Sequence, residues 1–170
     1  GAADALLSRN PHCDPGDLAI GHWLVIACVS LFALFAGHPE IALGVIFATL
    51  AIPLALDAAG TVWAWGDNSS GQLGDGTTGD RSSPVAVTGP TSVAGIAAGD
   101  SHSLAVTTLG AVWAWGANSY GQLGDGTTTQ RNAPLQVGFS TLWKTVAAGL
   151  DYTIATRTDG TLWAWGRNDF

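Results

Sequence analysis

Tryptophan, aspartate and histidine supply the side chains of this sequence that could carry chemistry. Tryptophans recur two residues apart, as at Trp63 and Trp65, and such a pair could stack a sugar or a base. Asp75 and Asp125 each stand in a GDGT segment and could bind calcium, and His102 could act as a general base. Known calcium loops need further acidic residues at alternate positions, which are missing here. No serine–histidine–aspartate arrangement can be recognised around His102. The pattern therefore favours turn and structural roles for these residues.

Metal and cofactor sites are also not predicted. Cys13 and Cys28 have no CxxC spacing, which argues against a zinc site and a disulfide framework. His12, Cys13 and Asp14 are adjacent, and adjacent side chains seldom converge on one ion without further ligands. The GQLGDG segments lack the lysine of a phosphate-binding loop and open no helix. We expect no metal and no cofactor.

An internal repeat organises the second part of the chain. Residues 59–108 align with 109–158 without a gap, with 25 identities in 50 positions, and a partial third copy covers 159–170. Arg81 returns as Arg131, and we expect both to hold a loop by donating to main-chain carbonyls. Residues that recur in this way are more often structural than ligand-binding. The structural set comprises Trp63, Trp65, Gly66, His102, Trp113, Trp115, Gly116, Trp163 and Trp165.

The repeat has the pattern of short β-strands. Residues 61–65 alternate, which places Trp63 and Trp65 on one face of a strand and Val62 and Ala64 on the other. Residues 103–107 and 93–98 predict two more strands, and 85–88 a further one. Residues 108–110 predict a tight turn, in which Gly110 takes a positive φ. The segment GQLGDGT is rich in glycine and contains an aspartate, so it predicts turns.

The two full repeats differ most at residues 79–83 against 129–133 and at 88–95 against 138–145. Repeat proteins place recognition in such connecting segments. Phe139 and Trp143 have no aromatic counterpart in the first repeat, and Lys144 lies beside them. These three residues are the candidate partner contacts, and the alternative is that they pack locally under the loop.

Segments 54–77 and 97–127 closely resemble the RCC1 repeat, named for regulator of chromosome condensation. The motif has a Gly-x-x-His-Ser-Leu-Ala stretch, a Trp-Gly-x-Asn stretch and a Gly-Gln-Leu-Gly stretch. The matching residues are Gly99, His102, Ser103, Leu104, Ala105, Gly110, Val112, Trp115, Gly116, Asn118 and Gly121 to Gly124. Tyr152 departs from the motif because it replaces the histidine. The unit that ends near Leu54 lacks the glycine and the histidine.

The resemblance implies an all-β fold made of β-propeller blades, with seven blades in a complete ring. Two units and a partial third cannot close such a ring, so we expect further blades from a longer chain. The resemblance also implies a protein partner. Clean repeats rich in glycine, alanine and tryptophan favour a bacterial surface protein.

An apolar segment precedes the repeats. Residues 18–56 contain a single charge, Glu40, and are long enough for two membrane-spanning helices. His38-Pro39-Glu40 predicts the break between a first helix near 18–37 and a second near 41–56. The domains are therefore a polar segment over 1–17, an apolar helical hairpin over 18–56 and repeats over 57–170. The alternatives are a cleaved signal peptide, a lipoprotein site at Cys28, and a frame error or chimeric join near residue 52.

Composition limits the function classes. Six Lys and Arg stand against thirteen Asp and Glu, a net charge of −7, so nucleic acid is not expected as a partner. We expect a non-catalytic, protein-binding propeller at the cell envelope or outside the cell, with a candidate membrane anchor in 18–56. The alternatives are an enzyme acting on polysaccharide, which would need paired carboxylates from several blades, and a purely structural repeat array.

Overall fold

The structure is a computed structural model, and it describes residues 52–169. These residues form three antiparallel β-sheets. The first sheet contains β1 (Leu54–Leu56), β2 (Val62–Gly66) and β3 (Arg81–Ala86). The second contains β4 (Val93–Ala98), β5 (His102–Thr107), β6 (Val112–Gly116) and β7 (Arg131–Gln136). The third contains β8 (Trp143–Ala148), β9 (Tyr152–Arg157) and β10 (Leu162–Gly166).

Each sheet is built from consecutive strands that pair with their neighbours in chain order. The second sheet takes β4 and β5 from the first sequence repeat and β6 and β7 from the second. A structural blade is therefore shifted by about half a repeat relative to the sequence unit. The predicted all-β, blade-like architecture is confirmed for the described residues.

The turn between β5 and β6 follows the prediction. Gly110 has a φ of 78°, its N–H donates to the carbonyl of Thr107, and the N–H of Thr107 donates to Ala111. The strands then pair without interruption from Val106 opposite Val112 to His102 opposite Gly116. This hairpin sets which side chains share a face, because side chains alternate along a strand.

Alternation along the tryptophan strands produces two apolar layers, one on each side of the second sheet. Trp115 packs with Leu54, Val62 and Ala64 toward the first sheet. Ala114 and Leu104 pack with Leu123 in a separate layer, with Val146 beside them. The predicted opposite faces of the tryptophan and small residues are therefore confirmed, and both faces of the central strands β5 and β6 are largely buried.

Two boundary predictions are wrong. The strand expected at 85–88 is Arg81–Ala86, because β3 pairs with β2 from Gly66 opposite Arg81 to Trp63 opposite Ala86, across an irregularity in register. The helix expected over 41–56 does not extend over its last residues, since Leu54–Leu56 is a strand paired with β2. There, hydrogen bonds to a neighbouring strand decide the conformation.

The rest of the predicted hairpin, residues 18–51, and the segment 1–17 lie outside the described residues, as do both cysteines. Within residues 52–169, no helix has the length and apolar character needed to cross a membrane.

The sheets are joined by the Gly-Gln-Leu-Gly segments, 71–74 and 121–124. The main-chain oxygen of Gln72 accepts hydrogen bonds from Trp115 Nε1 and Ser103 Oγ of the second sheet, both at 2.8 Å. The oxygen of Gln122 accepts equivalent bonds from Trp165 Nε1 at 3.0 Å and Thr153 Oγ1 at 2.7 Å. We call this arrangement the inter-sheet latch.

Side-chain packing completes the latch. Leu73 and Leu123 are buried in the two apolar layers. A Cβ on Gly74 would lie 2.8 Å from Trp115 Nε1, so this position has no room for a side chain. Burial of one leucine contributes roughly 1.5–3 kcal/mol, and each hydrogen bond about 0.5–1.5 kcal/mol.

We expect Gly74→Ala to lower the free energy of unfolding more than Gly76→Ala. Both glycines have a positive φ, of 69° and 82°, so both substitutions carry a backbone cost of roughly 1–2 kcal/mol. A Cβ on Gly76 would meet nothing within 4 Å, whereas one on Gly74 would press on the Trp115 ring. The collision should add about 1–3 kcal/mol. Urea unfolding measures both variants, and equal losses would contradict close packing at the latch.

Candidate partner-binding surface

The loops that carry the latch, residues 67–80 and 117–130, are folded around a buried asparagine. Asn68 Oδ1 accepts a hydrogen bond from the N–H of Leu73 at 3.0 Å. Its Nδ2 donates to the main-chain oxygens of Thr77 and Gly79, both at 3.1 Å. Asn118 makes the same set of bonds in the second loop. These bonds position Leu73 and Leu123 for insertion between the sheets.

Asp75 and Asp125 close the same loops, and the prediction that they are turn residues is confirmed. Asp125 Oδ1 accepts hydrogen bonds from the N–H of Thr127 at 3.0 Å and from its hydroxyl at 2.7 Å. Asp125 Oδ2 accepts from Arg131 Nη2 at 2.8 Å, and Asp75 forms the same ion pair with Arg81. The expectation that these arginines hold main-chain carbonyls is therefore wrong, because a carboxylate binds a guanidinium more strongly.

The carboxylate of Asp125 is 4% exposed. Burial by itself would raise its pKa, but hydrogen bonds from the Thr127 side chain, the Arg131 side chain and the Thr127 N–H outweigh it. Together they lower the pKa of Asp125 to about 2. Within residues 52–169, no group of three His, Cys, Asp or Glu side chains is placed to hold a metal ion.

His102 lies inside the second latch. It is fully buried, and its Nε2 is 3.1 Å from Thr153 Oγ1. Because the Thr153 hydroxyl already donates its hydrogen to Gln122, the imidazole must donate from Nε2, which leaves Nδ1 as an acceptor. Burial lowers the pKa of His102 to about 4, against the opposing charge of Asp151. A buried, neutral and hydrogen-bonded imidazole has a structural role here.

The recurring tryptophans contribute mainly to packing. Trp65 is buried, and Trp115 is completely buried with its N–H bonded in the latch. Trp113 is partly buried and packs against the core cluster. Trp163, on the third sheet, is half exposed. At the first two sheets these tryptophans are therefore buried or partly buried in the packing, and the assignment of the whole set to structural roles stays a prediction.

The three candidate contacts lie at the other end of the strands, where the hairpin turns are. Phe139 is 99% exposed in the loop between β7 and β8. Lys144 is exposed on β8. Trp143 is not a loop residue, because it begins β8 and packs edge to face against Trp163 and Trp165, with ring centroids 6.2 Å and 5.8 Å away. The alternative of local packing therefore describes Trp143. Phe139 and Lys144 are exposed, and their role as partner contacts stays a prediction.

Arg157 links Trp143 to this loop. Its guanidinium carbon lies 5.2 Å from the centroid of the Trp143 ring and 5.5 Å from that of Trp163. Its Nη2 donates to Ser140 Oγ at 2.9 Å. The residue at this point of the second sheet is Thr107, so this aromatic and cationic cluster is particular to the third sheet.

Sequence reasoning named Asn118 as a motif residue but gave neither it nor Asn68 a role in organising the loops, and it did not single out the main-chain oxygens of Gln72 and Gln122. All four residues recur at a spacing of fifty, and that spacing was the available signal. Every residue has a main-chain oxygen, so accepting a hydrogen bond there selects no residue type. The latch itself could therefore not be derived from the sequence.

Family comparison agrees with this architecture. The model of the regulator of chromosome condensation (RCC1) repeat matches residues 59–106 and 110–156, which is more than half of the chain. The chain belongs to the RCC1 repeat family. A second model of the RCC1 repeat matches 93–122 and 143–170, close to the strand order of the second and third sheets.

Individual relatives match only part of their own length. Human WBSCR16 superimposes with a TM-score of 0.63 at 29% identity, covering 68% of this chain and 31% of that chain. Prp20p of Saccharomyces cerevisiae superimposes with a TM-score of 0.60 at 29% identity, covering 70% of this chain and 29% of that chain. The human E3 ubiquitin-protein ligase HERC2 is 44% identical over 54 residues, which are 31% of this chain and 1% of the ligase. This chain thus spans under a third of the two structures.

These relatives come from human and yeast, and a mouse ligase matches equally well. The bacterial origin expected from composition stays a prediction. In the RCC1 repeats of this chain, many glycines occupy turns with a positive φ, and Trp113 and Trp115 pack between the first two sheets.

We expect Asp125→Asn to change the acid side of the stability profile. The amide can still accept from Thr127, so the substitution removes mainly the charge that pairs with Arg131. A carboxyl group whose pKa is lowered on folding stabilises the fold above its unfolded value, near 3.8, and loses this effect as pH falls toward about 2. The wild type should therefore exceed the variant in stability at neutral pH, and the gap should close between these values. Urea unfolding across pH measures it, and parallel profiles would contradict the charge pairing.

His102→Gln should remove a different pH dependence. The unfolded chain binds a proton on this histidine below pH 6.5, whereas the folded protein resists protonation until about pH 4. Wild-type stability should therefore fall as pH drops through this range, by roughly 3 kcal/mol relative to the variant. Glutamine keeps a donor for Thr153 but does not titrate. If both proteins lost stability in parallel from pH 6.5 to 4, His102 would not be a buried neutral group.

Proposed function

We propose that these RCC1 repeats form a non-catalytic, protein-binding surface of a β-propeller. The observation that carries this proposal is the contrast between the two ends of the strands. At one end, equivalent latches join each sheet to the next. At the other end, the loops 87–92 and 137–142 differ in sequence and expose different side chains. A rigid scaffold with variable loops is typical of a recognition module.

The relatives support a protein partner. Prp20p has binding properties toward Gsp1p and histones. That protein is 29% identical over the matched region, so a similar scaffold can present a protein-binding surface. Because this chain spans only a fraction of Prp20p, its own partner is a separate proposal.

The environments of His102, Asp75 and Asp125 support a non-catalytic function. His102 is buried and hydrogen-bonded to Thr153, which hides it from a substrate. Asp75 and Asp125 are each paired with an arginine of their own loop. An enzyme acting on polysaccharide needs carboxylates that are free to exchange protons. The cell-envelope location belongs to the same proposal, and residues 18–51 of its candidate anchor, 18–56, lie outside the described residues.

The experiment is to identify proteins retained by the folded chain and to titrate each purified candidate against it. Proteins retained equally by the heat-unfolded chain are discarded, since the proposed surface depends on the fold. We expect at least one direct partner with a Kd in the micromolar range or tighter, about −8 kcal/mol or better. Retention of only the proteins that bind unfolded chain would contradict the proposal. Turnover of a polysaccharide in a parallel assay would favour the enzyme. If the chain had no direct partner and turned over no polysaccharide, a structural repeat array would be favoured.

A further inference from the structure

Three large apolar side chains are exposed at the turn end of the second and third sheets. Phe139 is 99% exposed, Leu109 is 79% exposed and Leu142 is 50% exposed. Leu109 lies in the turn between β5 and β6, and the other two lie in the loop between β7 and β8. Single exposed apolar residues are common, but several in one place mark interaction sites.

The backbone brings these segments together. The N–H of Trp143 donates to the carbonyl of Gly110 at 3.2 Å. A Cβ on Gly110 would lie against the carbonyl of Thr141, so the two segments are in direct contact. Leu109 and Leu142 are the immediate neighbours of these contact residues, and Phe139 lies three positions before Leu142. We call Leu109, Phe139 and Leu142 the apolar patch.

The first junction shows that the backbone does not require this patch. There the N–H of Val93 donates to the carbonyl of Gly60 at 3.2 Å, as Trp143 does to Gly110. The residues at the three patch positions are Ala59, Gly89 and Ser92. The same frame thus carries small side chains at one junction and large apolar ones at the next. The fold gains little from side chains that stay in solvent, so the patch needs another explanation.

A cation is bonded to the loop that carries Phe139 and Leu142. Arg157 donates to Ser140 Oγ, in the same loop as Phe139, and its guanidinium lies over the rings of Trp143 and Trp163. Hydrogen bonds from the Thr161 hydroxyl and N–H lower the pKa of nearby Asp159, and the charge of Arg157 adds a smaller effect in the same direction. Arg157 and Asp159 are not in ion-pair contact.

The remaining charges make this cation unusual. Within residues 52–169, Arg157 and Lys144 are the two cationic side chains without an ion pair. The three paired arginines, Arg81, Arg131 and Arg167, all lie at the latch end of the sheets. In a chain with a net charge of −7, the turn end therefore carries exposed apolar side chains and two cationic side chains without an ion pair.

We infer that the apolar patch, together with Arg157 and Lys144 at the same end of the sheets, docks a protein segment that carries apolar side chains flanked by a carboxylate. This inference rests on the proposed function and names the partner's chemistry. Aromatic and arginine side chains dominate binding energy at protein interfaces. A carboxylate is the complement of a guanidinium held by aromatic rings. An anionic lipid surface is a weaker candidate because the chain as a whole is acidic.

The test uses random dodecapeptides displayed on phage, selected on the whole wild-type chain. Counter-selection uses the triple variant Leu109→Ala, Phe139→Gly and Leu142→Ser, which carries the residues of the first junction. The enriched peptides should combine apolar residues with Asp or Glu. The synthesised peptides should bind the triple variant at least about tenfold more weakly than the wild type. Their affinity for the wild type should fall as the salt concentration rises. Leu150→Ser, at the exposed leucine of the latch end, is the matched control and should leave affinity unchanged.

Several results would overturn the inference. One is the absence of any enriched peptide, and another is equal binding to the wild type and the triple variant. A third is enriched peptides without carboxylates whose affinity is unchanged by Lys144→Glu and by salt. Binding to phosphatidylcholine vesicles containing one-fifth phosphatidylserine, lost in the triple variant, would assign the patch to a membrane instead. Urea unfolding of the triple variant checks that its fold is intact.

Failure of this inference can be separated from failure of the proposed function. A direct protein partner that binds the triple variant as well as the wild type would keep the proposed function and place its surface elsewhere. Absence of any direct partner would remove the proposed function itself.

Discussion

A main-chain carbonyl that accepts two side-chain hydrogen bonds joins each sheet to the next. Gln72 and Gln122 supply the oxygens, and an indole N–H and a hydroxyl from the following sheet supply the donors. These groups are buried between the sheets, so an unmade bond would leave a buried donor at a cost of roughly 1–3 kcal/mol. Neighbouring sheets can therefore pack only where carbonyl, indole and hydroxyl meet.

This requirement explains the unusual loops. The carbonyl must point out of its own loop toward the next sheet, so the loop satisfies its other polar groups internally. Asn68 and Asn118 bond the loop backbone, and the aspartate–arginine pairs close it. Glycine is required at positions 74 and 124 because the tryptophan ring lies directly against them. The polar groups of this end are thus largely used in assembly.

The opposite end of the strands restricts residue types at fewer positions. Its turns need a glycine with a positive φ, as at Gly110, and a backbone contact between neighbouring loops. Side chains at the surface of these loops can vary without disturbing the latch. Large apolar residues at Leu109 and Phe139, in place of Ala59 and Gly89, show this freedom. The assembly contacts and the proposed recognition surface are therefore separated along the strand direction.

Much of this could be predicted from residue patterns. The alternation in residues 61–65 predicted the opposed faces that β6 shows for Ala114 and Trp115, because side chains alternate along any strand. The repeat predicted structural roles for Trp115 and His102, which both lie in a latch. The prediction for Arg81 was wrong in its contacts, since a carboxylate from the same loop was invisible in the local pattern. The alternative of local packing describes the contacts of Trp143 with rings of β10, and its role as a partner contact stays a prediction.

Local order along the chain was therefore settled by the sequence alone: a fifty-residue repeat of short strands, a glycine turn at 108–110 and membership of a repeat family. Tertiary structure decided the rest. The latch joins Gln72 to Trp115, which are 43 positions apart in sequence. Leu54–Leu56 is a strand because it forms hydrogen bonds with β2. The apolar patch likewise exists only where two loops meet. Sequence patterns determine structure where neighbours along the chain interact, and packing determines it where distant segments meet.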